Sequence, residues 1–543
     1  MGDLLNKRQS WLKFAEIFGL LILAILGVLI SLKVGLSWDE DAEFRTYRMN
    51  MAAIVGLLGG DTRPYVDLTQ YFDRYYGIGF HLISHGTGGW LYALMGDLLP
   101  YSAQASRLIW AHAAVFLAFI GSGIIFRFCL VRLTGDQLIS VLGMFVYLLW
   151  PYLFGHSMMN VKDIPFMCAW LCCTFQVLRI FQAPQFTTQS LIWNFALLGA
   201  LTAWLISIRV SGILIFIQYA WFGLLFITLG NHTKTNNSFC LKLGREIFVF
   251  VIAMIGTLYI LYPITWHDPS EFLSAIRYMS SHPWLGNTLT AGELIEPKTR
   301  LPFYIGSWLV VKLPVFALLG LALTPIVLWK VLVRKQFSSK YSAFFALLLS
   351  AVTILSVLVF IRVSLYNELR QLLFISAILL MIAIVSLYYI SRLLLIVVLI
   401  LTIGVMAVDD IKIHPYQYSY VNEIARNIPK GKLFETDYFG LSVSKTARWL
   451  NQSSVDGKSQ CVYVPSTHLW KFEINPDKFP CVENFPGDLS LIKKPFLFFV
   501  QARSVTSFAA PPWCRLLHLE SRSLPFSTTT LRMGELYECL PPP

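Results

Sequence analysis

A group of acidic side chains stands where the first long apolar run of the sequence ends. The segment 37–43 reads Ser-Trp-Asp-Glu-Asp-Ala-Glu, with four carboxylates in five residues, at Asp39, Glu40, Asp41 and Glu43. These acids could stabilise the start of a helix over Ala42–Leu58, because negative charge is favourable at a helix N-terminus. A carboxylate held here could equally act as a general base that takes the proton of an incoming hydroxyl. Composition alone leaves both interpretations open.

A second polar group, residues 155–166, follows the third apolar run. Its side chains that could do chemistry are His156, Asn160, Lys162 and Asp163. A helix that begins here would use Asp163 as its cap and Pro165 in its first turn. That interpretation does not explain the other three residues. We therefore expect them to share a site with Asp163, where His156 and Asn160 would contact an acceptor or a sugar.

Several cations stand at the ends of other apolar runs or, in the case of Lys312, inside one, on the side that the acids share. Together with Lys162 they are Arg209, Lys298, Arg300, Lys312 and Arg370. Most Lys and Arg of a membrane protein collect in cytoplasmic loops, so cations on the opposite side need an explanation. Each one alone could extend to the lipid headgroups. As a group they suit a lipid-linked phosphate, whose charge they would neutralise as it leaves.

The elements that must position these residues are membrane-spanning helices. The chain has 543 residues, of which 56% are hydrophobic and 14% charged, and its mean hydropathy is +0.61. Soluble domains carry about a quarter charged residues, and a single soluble core does not account for repeated uncharged runs as long as a bilayer is thick. Disordered, fibrous and ordinary cytosolic classes are excluded. The net charge of +12 is scattered between apolar runs, which disfavours nucleic-acid binding.

Uncharged runs of bilayer length predict eleven spans. They are Phe14–Val34, Leu108–Phe128, Gln137–Phe154, Ile164–Phe181, Leu191–Ile208, Gly212–Leu229, Ile247–Pro263, Tyr304–Trp329, Tyr341–Ile361, Leu372–Ile390 and Leu393–Val408. A cytoplasmic N-terminus places most loop Lys and Arg inside and exports the segment after the last span. The first run lacks a small-x-small cleavage site, so we interpret it as an anchor rather than a signal peptide. Two long exported loops, 35–107 and 265–303, are predicted to be functional.

Residues 409–543 change in composition and predict a second, exported domain after a transmembrane domain of residues 1–408. A helix over Val443–Leu450 and strands such as Cys461–Pro465, Phe496–Val500 and Gly534–Cys539 predict a small α/β domain. Four cysteines in an oxidising compartment favour two disulfides whose pairing the sequence leaves open; they are Cys461, Cys481, Cys514 and Cys539. Neither His nor paired-Cys spacing supports zinc there.

Other catalytic motifs are missing from the sequence. It contains no Gly-rich phosphate loop of the Walker kind, no Gly-x-Ser-x-Gly elbow, no His-Glu-x-x-His and no paired-Cys motif. His267 and Asp268 could bind a metal with Asp39 or Glu40, although the polarity of a loop explains this adjacent pair better. The sequence thus indicates no required cofactor and does not point to a divalent metal.

Taken together, the motifs resemble a known family, the GT-C glycosyltransferases. More specifically they are similar to glycosyltransferase family 39, which includes protein O-mannosyltransferases and bacterial relatives. The segments that carry the likeness to the bacterial branch are WDE at 38–40, GHSMMNVKDIPF at 155–166, LPFY at 301–304, VKLP at 311–314, LRQLLF at 369–374, HPYQYSYVNE at 414–423 and ETDYFGLS at 435–442. The likeness extends through about residue 450, and the exported tail is not the module that defines the eukaryotic mannosyltransferases.

The resemblance implies a GT-C-like bundle of about eleven transmembrane helices, in the bacterial inner membrane, with catalysis at the exported face. A polyprenyl-phosphate sugar would be the donor, and a glycan, lipid or protein would be the acceptor. Asp39 would be the base of one inverting displacement, supported by Glu40, and Asp163 would orient the acceptor or the sugar. The phosphate would leave toward Lys162, Arg209, Lys312 and Arg370. Because Asp41 and Glu43 belong to the same acidic run, the choice of base among the four acids stays open.

A transporter or flippase of lipid-linked sugars is the alternative function. It would share the spans and the exported cations, but it would need charged residues along a pathway inside the spans, and few are present beyond Lys312. No internal repeat is visible, which disfavours a transporter built from two inverted halves. A structural assembly partner, a third class, would not require Asp39.

Overall fold

The computed structural model describes residues 2–99, 101–182, 188–229, 237–280, 286–334, 338–428, 433–501, 503 and 509–540. Parts of the predicted loops and tail domain lie outside them: residues 100, 281–285, 429–432, 502, 504–508 and 541–543. Within the described ranges, ten helices are long and apolar enough to cross a membrane, or eleven if a bent pair counts as one span. The predicted fold class, a helical multi-pass membrane protein with a small C-terminal α/β region, is confirmed.

The described helices are, in chain order, α1 (Gly2–Ser31), α2 (Glu40–Leu58), α3 (Arg63–Gln70), α4 (His81–Met95), α5 (Ala103–Ile109), α6 (Ala111–Thr134), α7 (Gln137–Leu149), α8 (Pro151–Ser157), α9 (Asp163–Phe181), α10 (Thr188–Ile208), α11 (Ile215–Leu229), α12 (Asn237–Leu261), α13 (Glu271–Ser280), α14 (Leu301–Lys312), α15 (Val315–Val333), α16 (Ser339–Phe360), α17 (Leu373–Ile390), α18 (Arg392–Ile413), α19 (Leu441–Gln452) and α20 (Trp470–Glu473). The membrane-length helices are α1, α6, α9 to α12 and α15 to α18, and α7 with α8 is the bent pair. α17 is buried along most of its length and forms the centre of the bundle.

Two predicted spans are interrupted next to proline. The span Gln137–Phe154 consists of α7 and α8, which meet before Pro151 with a bend of 60°. The span Tyr304–Trp329 is wrong as a single helix, because α14 and α15 are separate helices on either side of Pro314. Proline lacks the N–H that a continuous helix requires, and its ring clashes with the preceding turn, which explains both interruptions. The last span also differs, since α18 continues past the predicted end to Ile413.

The two predicted long loops contain secondary structure of their own. The first holds α2, α3, α4 and α5, and the second holds α13 and a hairpin of β1 (Thr288–Thr290) with β2 (Glu293–Ile295). On α2 the buried residues recur every three or four positions, at Glu43, Thr46, Asn50 and Ala53, as on one face of an amphipathic helix. α2 packs against α3 and α4 and carries the acidic cluster at its start.

The C-terminal region forms a five-stranded sheet in the order β4-β3-β5-β7-β6. Its strands are β3 (Cys461–Val464), β4 (Val482–Asn484), β5 (Phe496–Gln501), β6 (Cys514–Ser523) and β7 (Thr530–Cys539). β3 runs parallel to β4 and β5, and β7 runs antiparallel to β5 and β6. β5 is apolar on both faces: Leu497 and Phe499 pack on the side of α19 and α20, and Phe496 and Phe498 form the core of the other side. The predicted helix and strands of this region are all present.

The C-terminal region lies at one end of the bundle, which we call the domain face. Arg448 of α19 donates to the carbonyl of Lys33, just after α1, at 3.2 Å. Arg522 of β6 donates to the carbonyl of His414, just after α18, at 2.7 Å. α1 and α18 therefore both end at the domain face.

Candidate active site

Asp39 lies at the domain face, immediately before α2. It occupies the N-cap position of that helix, but its carboxylate makes no capping hydrogen bond. It accepts a hydrogen bond from Arg370 instead, and its side chain is 45% exposed whereas that of Arg370 is 8% exposed. Helix capping therefore does not account for this carboxylate. A half-exposed carboxylate beside a buried guanidinium is accessible to a proton donor that arrives from outside.

Glu40 and Asp41 have different surroundings from Asp39. Glu40 is buried: it accepts the backbone N–H of Ser37 at 2.7 Å and lies 2.7 Å from Nε2 of His112. These contacts hold the turn between α1 and α2, so Glu40 supports the position of its neighbour. Asp41 forms a surface ion pair with Arg45 at 3.7 Å.

Glu43, the fourth acid of the cluster, is buried in an ion pair with Lys162. Its other carboxylate oxygen lies 3.1 Å from Nε2 of His81, and Lys162 Nζ lies 3.1 Å from the centre of the Tyr76 ring. Burial disfavours the charged form of Glu43, but Lys162 and His81 hold its pKa well below the usual range. Burial likewise opposes the charge of Lys162, whose pKa Glu43 nevertheless raises. Both groups therefore stay ionised near neutral pH.

Asp163 is the first residue of α9, and Lys162, not Asp163, occupies the cap position. The Asp163 carboxylate accepts hydrogen bonds from Arg209 and, at 3.0 Å, from the side-chain amide of Asn160. Asn160 also donates to Nδ1 of His156 at 2.9 Å. His156 and Asn160 are thus grouped with Asp163 as expected, whereas Lys162 bonds to Glu43. The backbone N–H of Asp163 fixes the group by donating to the side-chain oxygen of Asn160 at 2.8 Å.

Arg370 connects the two acidic groups. Its guanidinium bonds to Asp39 and lies 3.9 Å from the Asp163 carboxylate, which Arg209 also contacts. Residues far apart in sequence therefore meet in one cluster of two carboxylates and two guanidinium groups at the domain face. The rings of Tyr366 and Phe439 lie 5.1 and 5.7 Å from the Arg370 guanidinium carbon.

Lys312 does not join this cluster. It is fully buried, pairs with the equally buried Glu368, and donates to the carbonyl of Tyr418 at 2.9 Å. Its charge is thereby committed to a partner within the protein. The expectation that Lys312 would meet the leaving phosphate directly therefore gains no support from its position.

Lys298 and Arg300 lie in the second long loop and are also separate from the cluster. Arg300 pairs with Glu293 of the hairpin and covers the ring of Phe303 at the start of α14. Lys298 is exposed and forms no ion pair with a described residue. Neither residue contacts Asp39 or Asp163, so their predicted role at the phosphate gains no support from position.

Part of the C-terminal region lies directly over the cluster. The backbone N–H of Trp38 donates to the carbonyl of Phe439 at 3.1 Å, and the hydroxyl of Tyr438 lies 2.8 Å from Nε2 of His156. Gly440 has a φ of +75°, and a Cβ there would lie 2.3 Å from the indole nitrogen of Trp38. Only glycine permits both that conformation and that approach. The segment 435–442 is therefore part of the site.

The loop that carries Arg370 has an unusual backbone. Three of the five described non-glycine residues with positive φ are in it: Arg362, Asn367 and Glu368, at 50°, 56° and 62°. The left-handed conformation costs an L-residue about 1–2 kcal/mol, so surrounding contacts must hold it.

Sequence reasoning missed the partners that fix the predicted residues. His81 and His112, which contact Glu43 and Glu40, stand in largely apolar stretches, and a buried histidine needs a polar partner. Glu368 stands two positions before the predicted site residue Arg370. These signals were present in the sequence, but their partners are distant along the chain.

Metal ligation gains no support at this cluster. Among the described residues, one group of three potential ligands lies close enough to hold an ion, formed by Cys461, Cys481 and Glu483. The two cysteines of that group form a disulfide with each other, and Cys514 pairs with Cys539. His267, the other residue considered for a metal, packs its ring on that of Tyr65 at 4.5 Å.

Solved structures with a similar chain path include those of two proteins, ArnT and AglB. ArnT from Cupriavidus metallidurans in the apo state aligns over 98% of this chain and 98% of its own, with 12% identity and a TM-score of 0.44. The same protein bound to undecaprenyl phosphate aligns over 97% and 99%, again with 12% identity and a TM-score of 0.44. The archaeal oligosaccharyltransferase AglB from Archaeoglobus fulgidus, in complex with an inhibitory peptide and a dolichol-phosphate, aligns over 86% and 65%, with 12% identity and a TM-score of 0.42.

Neither a protein-family model nor a curated protein matches the sequence. The resemblance to glycosyltransferase family 39 therefore stays a prediction. With TM-scores below 0.5, the structural likenesses carry no weight for the chemistry, which we derive from the contacts of the site.

Proposed function

We propose that this protein is a membrane glycosyltransferase that moves a sugar from a polyprenyl-phosphate donor to an acceptor hydroxyl. The observation that supports this most is the arrangement of Asp39, Arg370 and Asp163, in which a half-exposed carboxylate and a buried guanidinium stand together at the end of a transmembrane bundle. A base and an anion-binding cation at a membrane surface are the two groups that such a transfer needs.

In the proposed reaction, Asp39 takes the proton of the acceptor hydroxyl. The hydroxyl oxygen attacks the anomeric carbon and forms the new glycosidic bond, while the bond from that carbon to the phosphate oxygen breaks. The electron pair of the broken bond leaves with the polyprenyl phosphate. One displacement of this kind inverts the anomeric configuration. The proton stays on Asp39 until solvent removes it.

The cations around Asp163 would receive the leaving group. Arg370 is bonded to Asp39, so an incoming phosphate that binds Arg370 would draw it away from the carboxylate. That exchange makes Asp39 a stronger base only when the donor is present. Arg209 is the second candidate phosphate ligand, and Lys162 supports the site through Glu43.

The polar chain behind Asp163 would orient the sugar or the acceptor. Tyr438, His156 and Asn160 are buried and linked by hydrogen bonds of 2.8 and 2.9 Å. Such a chain fixes the rotamer of Asp163 and limits its motion. Reacting groups held in one geometry react faster than mobile ones.

The setting that we propose is the bacterial inner membrane, with a cytoplasmic N-terminus and the domain face exported. The partners are a polyprenyl-phosphate sugar, membrane lipid, and a glycan, lipid or protein acceptor. We propose no nucleic-acid partner and no required cofactor, because protein cations can stabilise the leaving phosphate. The division into a transmembrane domain of residues 1–408 and an exported domain of residues 409–543 is part of the same proposal.

The test is glycan profiling of cells in which the wild-type protein is replaced by Asp39→Asn at an unchanged protein level. The loss of a general base lowers the rate by about 10²–10⁴-fold, so we expect the product glycan to disappear. Asp41→Asn, which changes an acid two positions away in a surface ion pair, is the matched control and should leave the glycan intact. Wild-type glycans in the Asp39→Asn strain would overturn the proposal. A glycan precursor that accumulates on the cytoplasmic side would favour the flippase instead.

A further inference from the structure

The position of Arg370 depends on a loop in a strained conformation. This loop, residues 361–369, connects α16 to Arg370, and its last residues before Arg370 include Asn367 and Glu368, both with positive φ. Neither glutamate nor asparagine prefers a positive φ, although asparagine adopts it more readily. Contacts of the loop must therefore select it.

Three contacts from the transmembrane bundle hold the loop beside Arg370. The Glu368 carboxylate pairs with Lys312, and the Glu368 carbonyl accepts the hydroxyl of Tyr304 at 2.8 Å. The backbone N–H of Leu369 donates to the hydroxyl of Tyr152 at 3.1 Å. Both members of the ion pair have fully buried side chains, so water does not screen the attraction.

Lys312 is itself fixed on several sides. It is the last residue of α14, just before the proline break, and its carbonyl accepts the indole N–H of Trp150 at 3.2 Å. Its Nζ donates to the carbonyl of Tyr418 and lies 4.5 Å from the centre of the Tyr152 ring. The ion pair thus connects the loop to α14, to the bend between α7 and α8, and to the C-terminal region.

We propose that Lys312 and Glu368 are positioning residues that hold Arg370 against Asp39 and Asp163. This inference rests on the proposed function, because it takes Arg370 as a ligand of the donor phosphate. The pair does not touch the substrate. It fixes the backbone two residues before Arg370, so that the guanidinium stands between the two carboxylates before the donor arrives.

The test measures binding of undecaprenyl phosphate to the purified full-length protein in detergent, by native mass spectrometry. Glu368→Gln and Lys312→Met should each weaken binding by about tenfold, as Arg370→Ala does, because each leaves Arg370 unpositioned. In the Arg370→Ala background, adding Glu368→Gln should change the affinity less than about twofold. A residue with a merely structural role would weaken binding by the same factor in both backgrounds, and that result would overturn the proposal.

Two further variants keep the test informative if a single charge change impairs folding. The double variant Lys312→Met with Glu368→Gln removes both buried charges together and should still weaken binding. Glu16→Gln breaks another ion pair of the bundle, with Arg127 at 2.8 Å, and should leave binding within about twofold of wild type.

The outcomes also separate this inference from the proposed function. If Arg370→Ala weakens binding and Glu368→Gln does not, the positioning role is wrong and the phosphate site stands. If Arg370→Ala leaves both phosphate binding and the product glycan unchanged, the proposed phosphate site is wrong, and the positioning role falls with it.

Discussion

Three cations of the candidate site each have a carboxylate partner. Arg370 bonds to Asp39, Arg209 to Asp163 and Lys162 to Glu43. A site balanced in this way carries no large excess of positive charge when empty. A phosphate that binds must compete with a carboxylate, so binding and activation of the base are coupled at the level of single residues.

The pair of Glu43 and Lys162 gives a prediction about stability. Glu43→Gln should lower the free energy of unfolding by about 3–5 kcal/mol, because it leaves the Lys162 charge buried beside Tyr76 without its carboxylate. Asp41→Asn, from the surface pair with Arg45, should cost less than about 1 kcal/mol. Thermal unfolding of both variants in the same detergent measures the difference. Equal losses in the two variants would contradict the buried pairing.

At this scale the sequence indicated some of the residues that meet, but not how they pair. Asp39, Asp163, Arg209 and Arg370 were all expected at one face, and they form one cluster. Lys312 was expected there as well, since a lysine inside a predicted span suggests function. Its partner Glu368 is 56 positions away in the printed sequence, and only the three-dimensional path brings the two together. Burial of a charge is not visible without that path.

The element that connects the C-terminal region to the site is the segment 435–442. Its first residue, Glu435, has a fully buried side chain, and its backbone N–H donates to the carbonyl of Leu289 in the hairpin at 3.1 Å. Arg503 lies 3.6 Å from the Glu435 carboxylate. Burial raises the pKa of Glu435 to about 7, because Arg503 offsets only part of the cost of burying the charge. The segment therefore contains a group that titrates near neutral pH.

Through this titration, Glu435 should make the protein more stable in mild acid than in mild base. The folded-state pKa is raised above the unfolded value of about 4.3, so the folded state binds more protons between that value and about 7. Stability then falls as the pH rises through this window, by up to about 4 kcal/mol in total. Thermal unfolding of the wild type at pH 6 and pH 8 should show the last part of this decrease, about 1 kcal/mol, and Glu435→Gln should reduce it.

Comparison with Glu435→Gln separates the effect of Glu435 on stability from the effects of other groups whose pKa values are shifted by burial. Burial raises the pKa of Asp437 to about 6, and it lowers that of His85 to about 3 and that of His414 to about 4. The histidines act in the opposite direction, because the unfolded state takes up their protons as the pH falls below about 6.5. An identical pH dependence in wild type and Glu435→Gln would contradict the raised pKa of Glu435.

At the level of elements, apolar length predicted most helices, but chain breaks depended on context. Pro151 and Pro314 stand inside runs that are apolar enough to span, and the same run can continue past a proline or break there. In the structure the two breaks lie side by side, because Trp150, between α7 and α8, donates to the carbonyl of Lys312 at the end of α14. The prolines are visible in the sequence. The packing of α7, α8 and α14 against one another at these breaks is not.

For the whole molecule, the number of crossings follows from where the chain ends lie. α1 and α18 both end at the domain face, so the start of α1 lies at the opposite end of the bundle from the C-terminal region. The number of crossings between them must then be odd. The ten membrane-length helices of the described ranges alone give an even number, and the bent pair of α7 and α8 supplies the eleventh.

This topology predicts that the two ends of the protein report opposite sides of the membrane. With a cytoplasmic N-terminus, as loop charges favour, green fluorescent protein fused to the N-terminus should fluoresce, and alkaline phosphatase fused to the C-terminus should be active. Fusions truncated after α7 and α8 test the bent pair itself: alkaline phosphatase fused after residue 160 should be active, and after residue 136, before α7, inactive. Equal phosphatase activity at these two points would show that the pair is re-entrant. The acidic cluster and the second polar group would then open on different sides, and the site built from Asp39 and Asp163 could not form, because both carboxylates must meet Arg370 at one face.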